Sequence, residues 1–315
     1  MRFGRGPAIH SPAGPWRTPP AYVSPFLDEH GQPRGQAWDM DDGYLRFLTN
    51  EQAEFIVDRN GTEIWVDAPR SSPQEISEYL VGPIFALMLR RRGHVCLHAS
   101  VVCLHNRAVA LLGAEGSGKS TLAAVFALQG RTVLADDLAV LIESDTTWHV
   151  PPGPRYVRSR RGVVEQVALD SGHAGILTAC HDHEFLDLAV PAAEPAHDCR
   201  SRRDETRGFA ELGAIYVLDR TQPQGTTTID SLHGTTAVMT LLALSWATRP
   251  LAREFRGQEL DVLARTVETV AVRHVRVAAD DRDVRGLAKA IERDFTMHVA
   301  SEDAARGGPP WPRSQ

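Results

Sequence analysis

Residues 108–141 read AVALLGAEGSGKSTLAAVFALQGRTVLADDLAVL, and the rest of the chain is read outward from them. At the centre, Gly113-Ala114-Glu115-Gly116-Ser117-Gly118-Lys119-Ser120-Thr121 fits the phosphate-binding (Walker A, or P-loop) pattern G-x-x-x-x-G-K-[ST] throughout. The apolar run 108–112 before it reads as a buried strand. Residues 120–129 after it read as a helix, with Gly130 as the C-cap. Strand, glycine-rich turn and helix, in that order, are the context the pattern requires.

Each residue type in this loop has a chemical reason. Gly113, Gly116 and Gly118 let backbone N–H groups approach phosphate oxygens with no Cβ in the way. The helix N-terminus adds partial positive charge. Lys119 is expected to reach the β- and γ-phosphates of ATP, and the Ser120 hydroxyl to ligate Mg²⁺. Glu115, Ser117 and Thr121 complete the expected nucleotide-binding set. The plainer alternative is a glycine-rich strand–helix turn that binds nothing.

The remaining composition excludes several classes. With 315 residues the chain can hold one large domain or two smaller ones. A net charge of −6 disfavours general binding to nucleic acid or to an anionic membrane. The longest apolar runs, near 81–89 and 237–247, are too short to span a bilayer and suit buried helices. No secretory core follows the two N-terminal arginines, so a cytoplasmic location is expected. Cys96, Cys103, Cys180 and Cys199 have no C-x-x-C spacing and read as reduced thiols.

In chain order, residues 1–25 are rich in Pro, Gly and Arg and read as a flexible segment. A small β-rich and helical unit is expected over 26–92. It has strands near 44–48, 54–58 and 62–66, with a hairpin signal at Asn60-Gly61. Ser72-Pro73-Gln74-Glu75 opens a helix that Pro83 is expected to kink. The ATP-binding domain is expected over 93–300. Strands are read at 96–104, 131–135, 214–218 and 270–277, and helices at 233–247, 258–268 and 284–295. A disordered tail is expected over 301–315.

Two further groups are candidates. Arg155 and Arg158 follow the turn 151–154 and read either as a phosphate or acidic-substrate clamp or as a solvated basic loop. His173, His181, Asp182, His183, Glu184 and Asp187 cluster in sequence without a strong metal-ligand spacing and read as structural.

The loop's neighbours add a resemblance. His98 stands 21 positions before Lys119, and Asp136-Asp137 begins 17 positions after it. The combination L-H-A-S-V-V, G-x-x-G-S-G-K-S-T-L and G-R-x-V-L-A-D-D resembles the C-terminal catalytic domain of HPr serine kinase/phosphorylase. It is most similar to the HPr kinase-like proteins found beside peptide-modification genes, including kinases of lasso-peptide precursors. The resemblance covers roughly residues 80–300 in general layout and is specific over 97–140.

The resemblance implies an α/β fold related to phosphoenolpyruvate carboxykinase, a mixed sheet flanked by helices, beside the small N-terminal β-rich unit. It implies an ATP- and Mg²⁺-dependent phosphotransferase. His98 matches the family's histidine near the γ-phosphate. Asp136 and Asp137 match its acidic pair. One of the two takes the proton of the acceptor hydroxyl and the other helps bind the metal. Asp136 is assigned here with His98 and Lys119 as catalytic, and Asp137 with Ser120 as metal-binding, although sequence alone leaves the two aspartates interchangeable. The expected acceptor is a serine of a peptide or protein, possible natural-product precursors included; a small hydroxylated molecule, or ATP binding without transfer, stays open. A homo-oligomer stays open too.

Overall fold

The protein is described from a computed structural model. It describes residues 19–24, 27–28, 30–40, 43–50, 53–154, 156–160, 177–180, 183–187, 209–222, 225–246, 253–278 and 283–305. The chain divides into two compact units, Met1–Cys96 with Ser245–Asp261, and Leu97–Leu244 with Val262–Gln315.

The first unit is built on an antiparallel meander: β1 (Tyr22–Val23), β2 (Gly35–Asp39), β3 (Leu45–Thr49), β4 (Glu54–Val57) and β5 (Ile64–Asp67), paired in that order. Tyr22 and Val23 pair with Ala37 and Gln36, so the sheet begins within the segment read as flexible. Period-two alternation makes the core. Leu45 and Phe47 face Val57 and Phe55 across the β3–β4 ladder, and all four are buried.

The β4–β5 connection contains the expected Asn60-Gly61. Gly61 has φ +64, and a Cβ there would come within 2.4 Å of the Met88 carbonyl oxygen. The turn is organised by a residue the hairpin signal does not include. The Asp58 carboxylate accepts hydrogen bonds from the backbone N–H groups of Asn60, Thr62 and Glu63. Burial pushes the Asp58 carboxyl up, but these bonds and that from the Thr62 hydroxyl outweigh it and hold it below its ordinary value.

The sheet is followed by α1 (Pro73–Tyr79), a π-helical turn at Leu80–Ile84, and α2 (Phe85–Arg91). Ser72 and Glu75 form a reciprocal capping box at the start. Pro83 has no N–H to donate, and the helix widens into the π turn around it rather than breaking. Leu80, Ile84 and Leu87 fall one turn apart and fill the core under the sheet. Arg90 lies 2.8 Å from Glu259, both fully buried, which ties α2 to the 245–261 segment.

At the join of the units lies β6 (Val95–Leu97). The second unit holds β7 (Ala99–Leu104), β8 (Arg107–Gly113), α3 (Lys119–Leu128), β9 (Val133–Ala135), β10 (Ala139–Ser144) and β11 (Thr147–Val150). These are followed by β12 (Tyr156–Arg160), β13 (Leu177–Cys180), β14 (His183–Asp187), β15 (Ala210–Gln222), β16 (Thr228–Leu232) and α4 (Gly234–Ala243). Then come α5 (Arg253–Thr269), β17 (Ala271–Ala278) and α6 (Val284–Ala305).

Its mixed sheet runs β10–β11–β15–β8–β7–β9, with β17 also paired to β15 and β16 to β17. The β8–β15 and β15–β17 pairs are parallel; the others are antiparallel. Parallel central strands are covered on both faces, which explains the uninterrupted apolar runs at 108–112 and 214–218. Leu122, Val125 and Phe126 of α3 pack with Leu287, Ile291 and Phe295 of α6 in one core. Tyr216 of β15 donates a hydrogen bond to Asp294 of α6, and Arg273 of β17 grips the same carboxylate. β12–β14–β13 form a separate antiparallel sheet.

The structure departs from the sequence reading at several points. The strand read at 96–104 is two strands with His98 between them. The strand β16 and the hairpin strand β11 carry no strong apolar alternation and escape that reading. Helix α6 continues to Ala305, ten residues beyond 295 and into the expected tail. Cys103 is disulfide-bonded, against the expectation of a reduced thiol, because the fold rather than sequence spacing brings thiols together; Cys96 is free and buried. No described helix is long and apolar enough to cross a membrane.

Candidate functional site

The site is built where β8 ends. Gly113 has φ +155, and a Cβ on it would meet Ser117 Oγ at 2.5 Å and the Leu218 carbonyl oxygen at 2.7 Å. Only glycine lets the chain turn in that space. Gly116 and Gly118 also have positive φ, +79 and +97. The turn delivers the chain into α3 with Gly118 as N-cap, no side-chain cap and no acidic residue in the first turn. The N-terminal N–H groups of α3 therefore have no anionic side chain of their own helix to answer them.

Lys119 is folded back over the loop. Its Nζ donates hydrogen bonds to the carbonyl oxygens of Gly113 at 2.9 Å and Ala114 at 3.1 Å. Burial lowers its pKa, and the negative charges of Asp137, Asp136 and Glu115 partly restore it. Ser117 Oγ is buried without a hydrogen-bond partner, an orphaned polar atom inside the loop. Glu115 and Gly116 are exposed, and Ser120 and Thr121 are half-buried.

Sheet order brings the other candidates here. β7 lies beside β8, with Ala99 opposite Leu112, and β9 lies beside β7, with Ala135 opposite Val101. His98 thus precedes β7, and Asp136-Asp137 follow β9, at the same end of the sheet as the glycine-rich turn. Asp136 is 4% exposed, and its Oδ1 accepts a hydrogen bond from the fully buried Ser100 hydroxyl at 2.5 Å. Asp137 has φ +67, and its Oδ1 lies 3.4 Å from His98 Nε2. Left-handed backbone at Asp137 breaks strand alternation, so the two adjacent carboxylates need not point to opposite faces. The side chains of His98 and Asp137 are both about one-quarter exposed, 26% and 25%.

Four of the sequence candidates, His98, Lys119, Asp136 and Asp137, are therefore grouped around one loop. Arg155 lies outside the described residues, and Arg158 is described only as a position on β12, opposite Phe185. His173, His181 and Asp182 also lie outside the described residues; His183, Glu184 and Asp187 are positions on β14. Among the described residues no group of three or more His, Cys, Asp or Glu could hold a metal.

Three features escape the sequence reading. Ser100, which holds Asp136, sits in a continuous apolar strand and looks like filler. Arg220, at the end of β15, donates from Nε to the Ser117 carbonyl oxygen at 3.0 Å and so braces the glycine-rich loop. Asp219 and His274, from the parallel neighbours β15 and β17, meet at 3.1 Å. The signal for the last two was the polar end Asp219-Arg220 on an otherwise apolar strand.

The loop opens onto a cleft of about 830 Å³. Residues 113–117 of the loop, residues 217–221 of β15, His274 of β17 and residues of α4 line it. The sequence reading places 237–247 in a buried helix; instead only Ala237 and Leu241 of α4 are buried, and Met239 is 53% exposed. Beyond α4, the Leu244 carbonyl accepts a hydrogen bond from His98 N at 3.1 Å, so this end of the cleft adjoins the histidine–aspartate group.

No protein-family model matches the chain, and no curated protein matches it. Among solved structures the chain is similar to an HPr(Ser) kinase/phosphatase from Coxiella burnetii, with 11% identity and a TM-score of 0.34. The match covers 66% of this chain and 98% of that one. This is a distant structural relationship, and the site has to be judged on its own residues.

Proposed function

We propose that the chain is an ATP- and Mg²⁺-dependent kinase that phosphorylates a hydroxyl, a serine of a peptide or protein. The observation that carries this reading is the grouping of Lys119, His98, Asp136 and Asp137 around one glycine-rich turn. A loop that only turned the chain would have no use for a buried lysine facing two carboxylates.

The residues fit a phosphate group. The space at Gly113 that a Cβ would fill, the orphaned Ser117 hydroxyl and the uncapped start of α3 all suit a polyanion. Ser120 and one aspartate are the hydroxyl and carboxylate that Mg²⁺ commonly takes from a protein. When bound, Mg²⁺ and ATP supply the transferable phosphoryl group and the metal charge that offsets its oxygens.

The chain's own residues then position and deprotonate. Lys119 exchanges its bonds to Gly113 and Ala114 for phosphate oxygens. Arg220 holds the loop's shape through Ser117. A base has to reach the acceptor hydroxyl, which favours the more exposed Asp137 over Asp136. We therefore assign proton acceptance to Asp137, with His98 orienting it, and metal binding to Asp136 with Ser120. This reverses the assignment made from the sequence, which left the two aspartates interchangeable, and it rests on burial and on the Ser100 bond.

The test is phosphate transfer read by mass spectrometry. The purified protein is incubated with Mg²⁺ and ATP and with serine-containing peptides or free serine, beside Asp137→Asn. Phosphopeptide from wild type alone supports the proposal. Phosphoserine from free serine alone moves the acceptor to a small molecule. ATP binding with no transfer to either removes the kinase reading for peptides.

A further inference from the structure

The helix α4 is unusual for one that faces solvent. Residues 233–244 read HGTTAVMTLLAL, with no Lys, Arg, Asp or Glu. A surface helix ordinarily carries charge on its outer face. Here only Ala237 and Leu241 point into the core, while Thr235, Thr236, Met239 and Ala243 are exposed. Thr236, Met239, Thr240 and Ala243 recur at three- and four-residue spacing, so they form one stripe, and that stripe lines the cleft. The apolar and hydroxyl character that makes the segment look buried in sequence is turned toward an open space beside the glycine-rich loop.

We infer that this stripe is the nucleoside-binding wall for the phosphoryl donor, an inference that rests on the kinase reading. The direction of the donor follows from three fixed points. Leu244, at the C-terminal end of α4, is hydrogen-bonded to His98, so the reacting end of the cleft is there. Loop residues 113–117 line the same cleft, with Arg220 bracing them through the Ser117 carbonyl. The other end of the ten-residue helix, about 15 Å away at 1.5 Å per residue, carries Thr235 and Thr236. A nucleoside triphosphate whose terminal phosphate lies by His98 sets its base and sugar against Thr236 and Met239. The volume of about 830 Å³ is in the range of a small-molecule site. Thr hydroxyls both donate and accept, and the Met239 thioether is an adaptable apolar surface for a flat ring. The wall has no charge that would repel a polyanion.

The inference is tested by comparing two ligands that share phosphates but differ in the nucleoside: ATP and inorganic tripolyphosphate. Binding of each with Mg²⁺ is measured by calorimetry on the full chain. The variants are Met239→Gln, which keeps length and helix propensity, and Met239→Leu, which keeps apolar surface. Both change a side chain that is half in solvent, so the fold is spared, and circular dichroism checks this. The expected result is about a fivefold loss of ATP affinity in Met239→Gln, restored in Met239→Leu, with tripolyphosphate affinity unchanged in both. Equal losses for both ligands, or no loss for either, overturn the inference. So does a rise in peptide KM with ATP affinity intact, which assigns the wall to the acceptor. If wild type binds neither ATP nor tripolyphosphate, the phosphate reading of the loop itself has failed, and the wall falls with it.

Discussion

The glycine-rich loop has two unlike flanks. On the β7–β9 side stand His98, Asp136 and Asp137, with Ser100 bonded to Asp136 from a fully buried position. On the β15–α4 side the cleft is wide and α4 is uncharged, its polar atoms mostly threonine hydroxyls. The first flank holds its charges close together against the loop; the second pairs Asp219 with His274 at 3.1 Å on its strand wall but presents open, uncharged space along α4. The contrast teaches that the site separates two tasks: chemistry needs carboxylates held in place, whereas holding a ligand needs area and few commitments.

The largest effect that sharpens this contrast is Asp137→Asn. With the proton acceptor gone, kcat is expected to fall about 10²- to 10⁴-fold while ATP affinity stays near that of wild type. Full turnover in both Asp137→Asn and Asp136→Asn would remove the acidic pair from the chemistry. Next is Lys119→Ala. Calorimetry should find both ATP and tripolyphosphate weakened about 100-fold, because a charge-assisted contact is lost from the part of the site common to both. Loss for ATP alone would break the contrast.

A smaller effect is expected from Ser100→Ala. The hydroxyl touches only Asp136 in this account, so turnover should fall about tenfold and the Mg²⁺ requirement should rise, with no change in tripolyphosphate affinity measured without metal. The smallest is a pH effect. Burial lowers the Lys119 pKa, so the loop loses its cation as pH rises through that lowered value, below the ordinary lysine range. Tripolyphosphate affinity should therefore decline with rising pH before free lysines titrate, and Lys119→Arg should flatten the decline. A profile flat to the ordinary lysine pKa would contradict it.

What could be read from the sequence was local chemistry. Gly113, Gly116 and Gly118 are specified by positive φ and Lys119 by its reach to a phosphate, so their pattern survives without structural context. The strands at 108–112 and 214–218 are legible because parallel strands are buried on both faces. His98 and Asp136-Asp137 were legible only through spacing from Lys119, which the β8–β7–β9 order then explains. What was hidden depends on neighbours. An apolar helix reads the same whether its outer face meets a core or a cleft, so α4 was misjudged. Arg220 and Ser100 matter through single contacts made across strands, and nothing in their own segments announces them. Asp58 shows the same limit in the first unit, where one carboxylate gathers a turn that Asn60-Gly61 alone appeared to explain.

The most direct test of the account measures binding and transfer on one preparation of Asp137→Asn. ATP affinity is measured by calorimetry, and phosphate transfer to a serine peptide by mass spectrometry, beside wild type. The account predicts that the variant binds ATP as wild type does and yields no phosphopeptide where wild type does. Transfer at the wild-type rate by the variant would contradict the assignment of Asp137 as the group that accepts the proton.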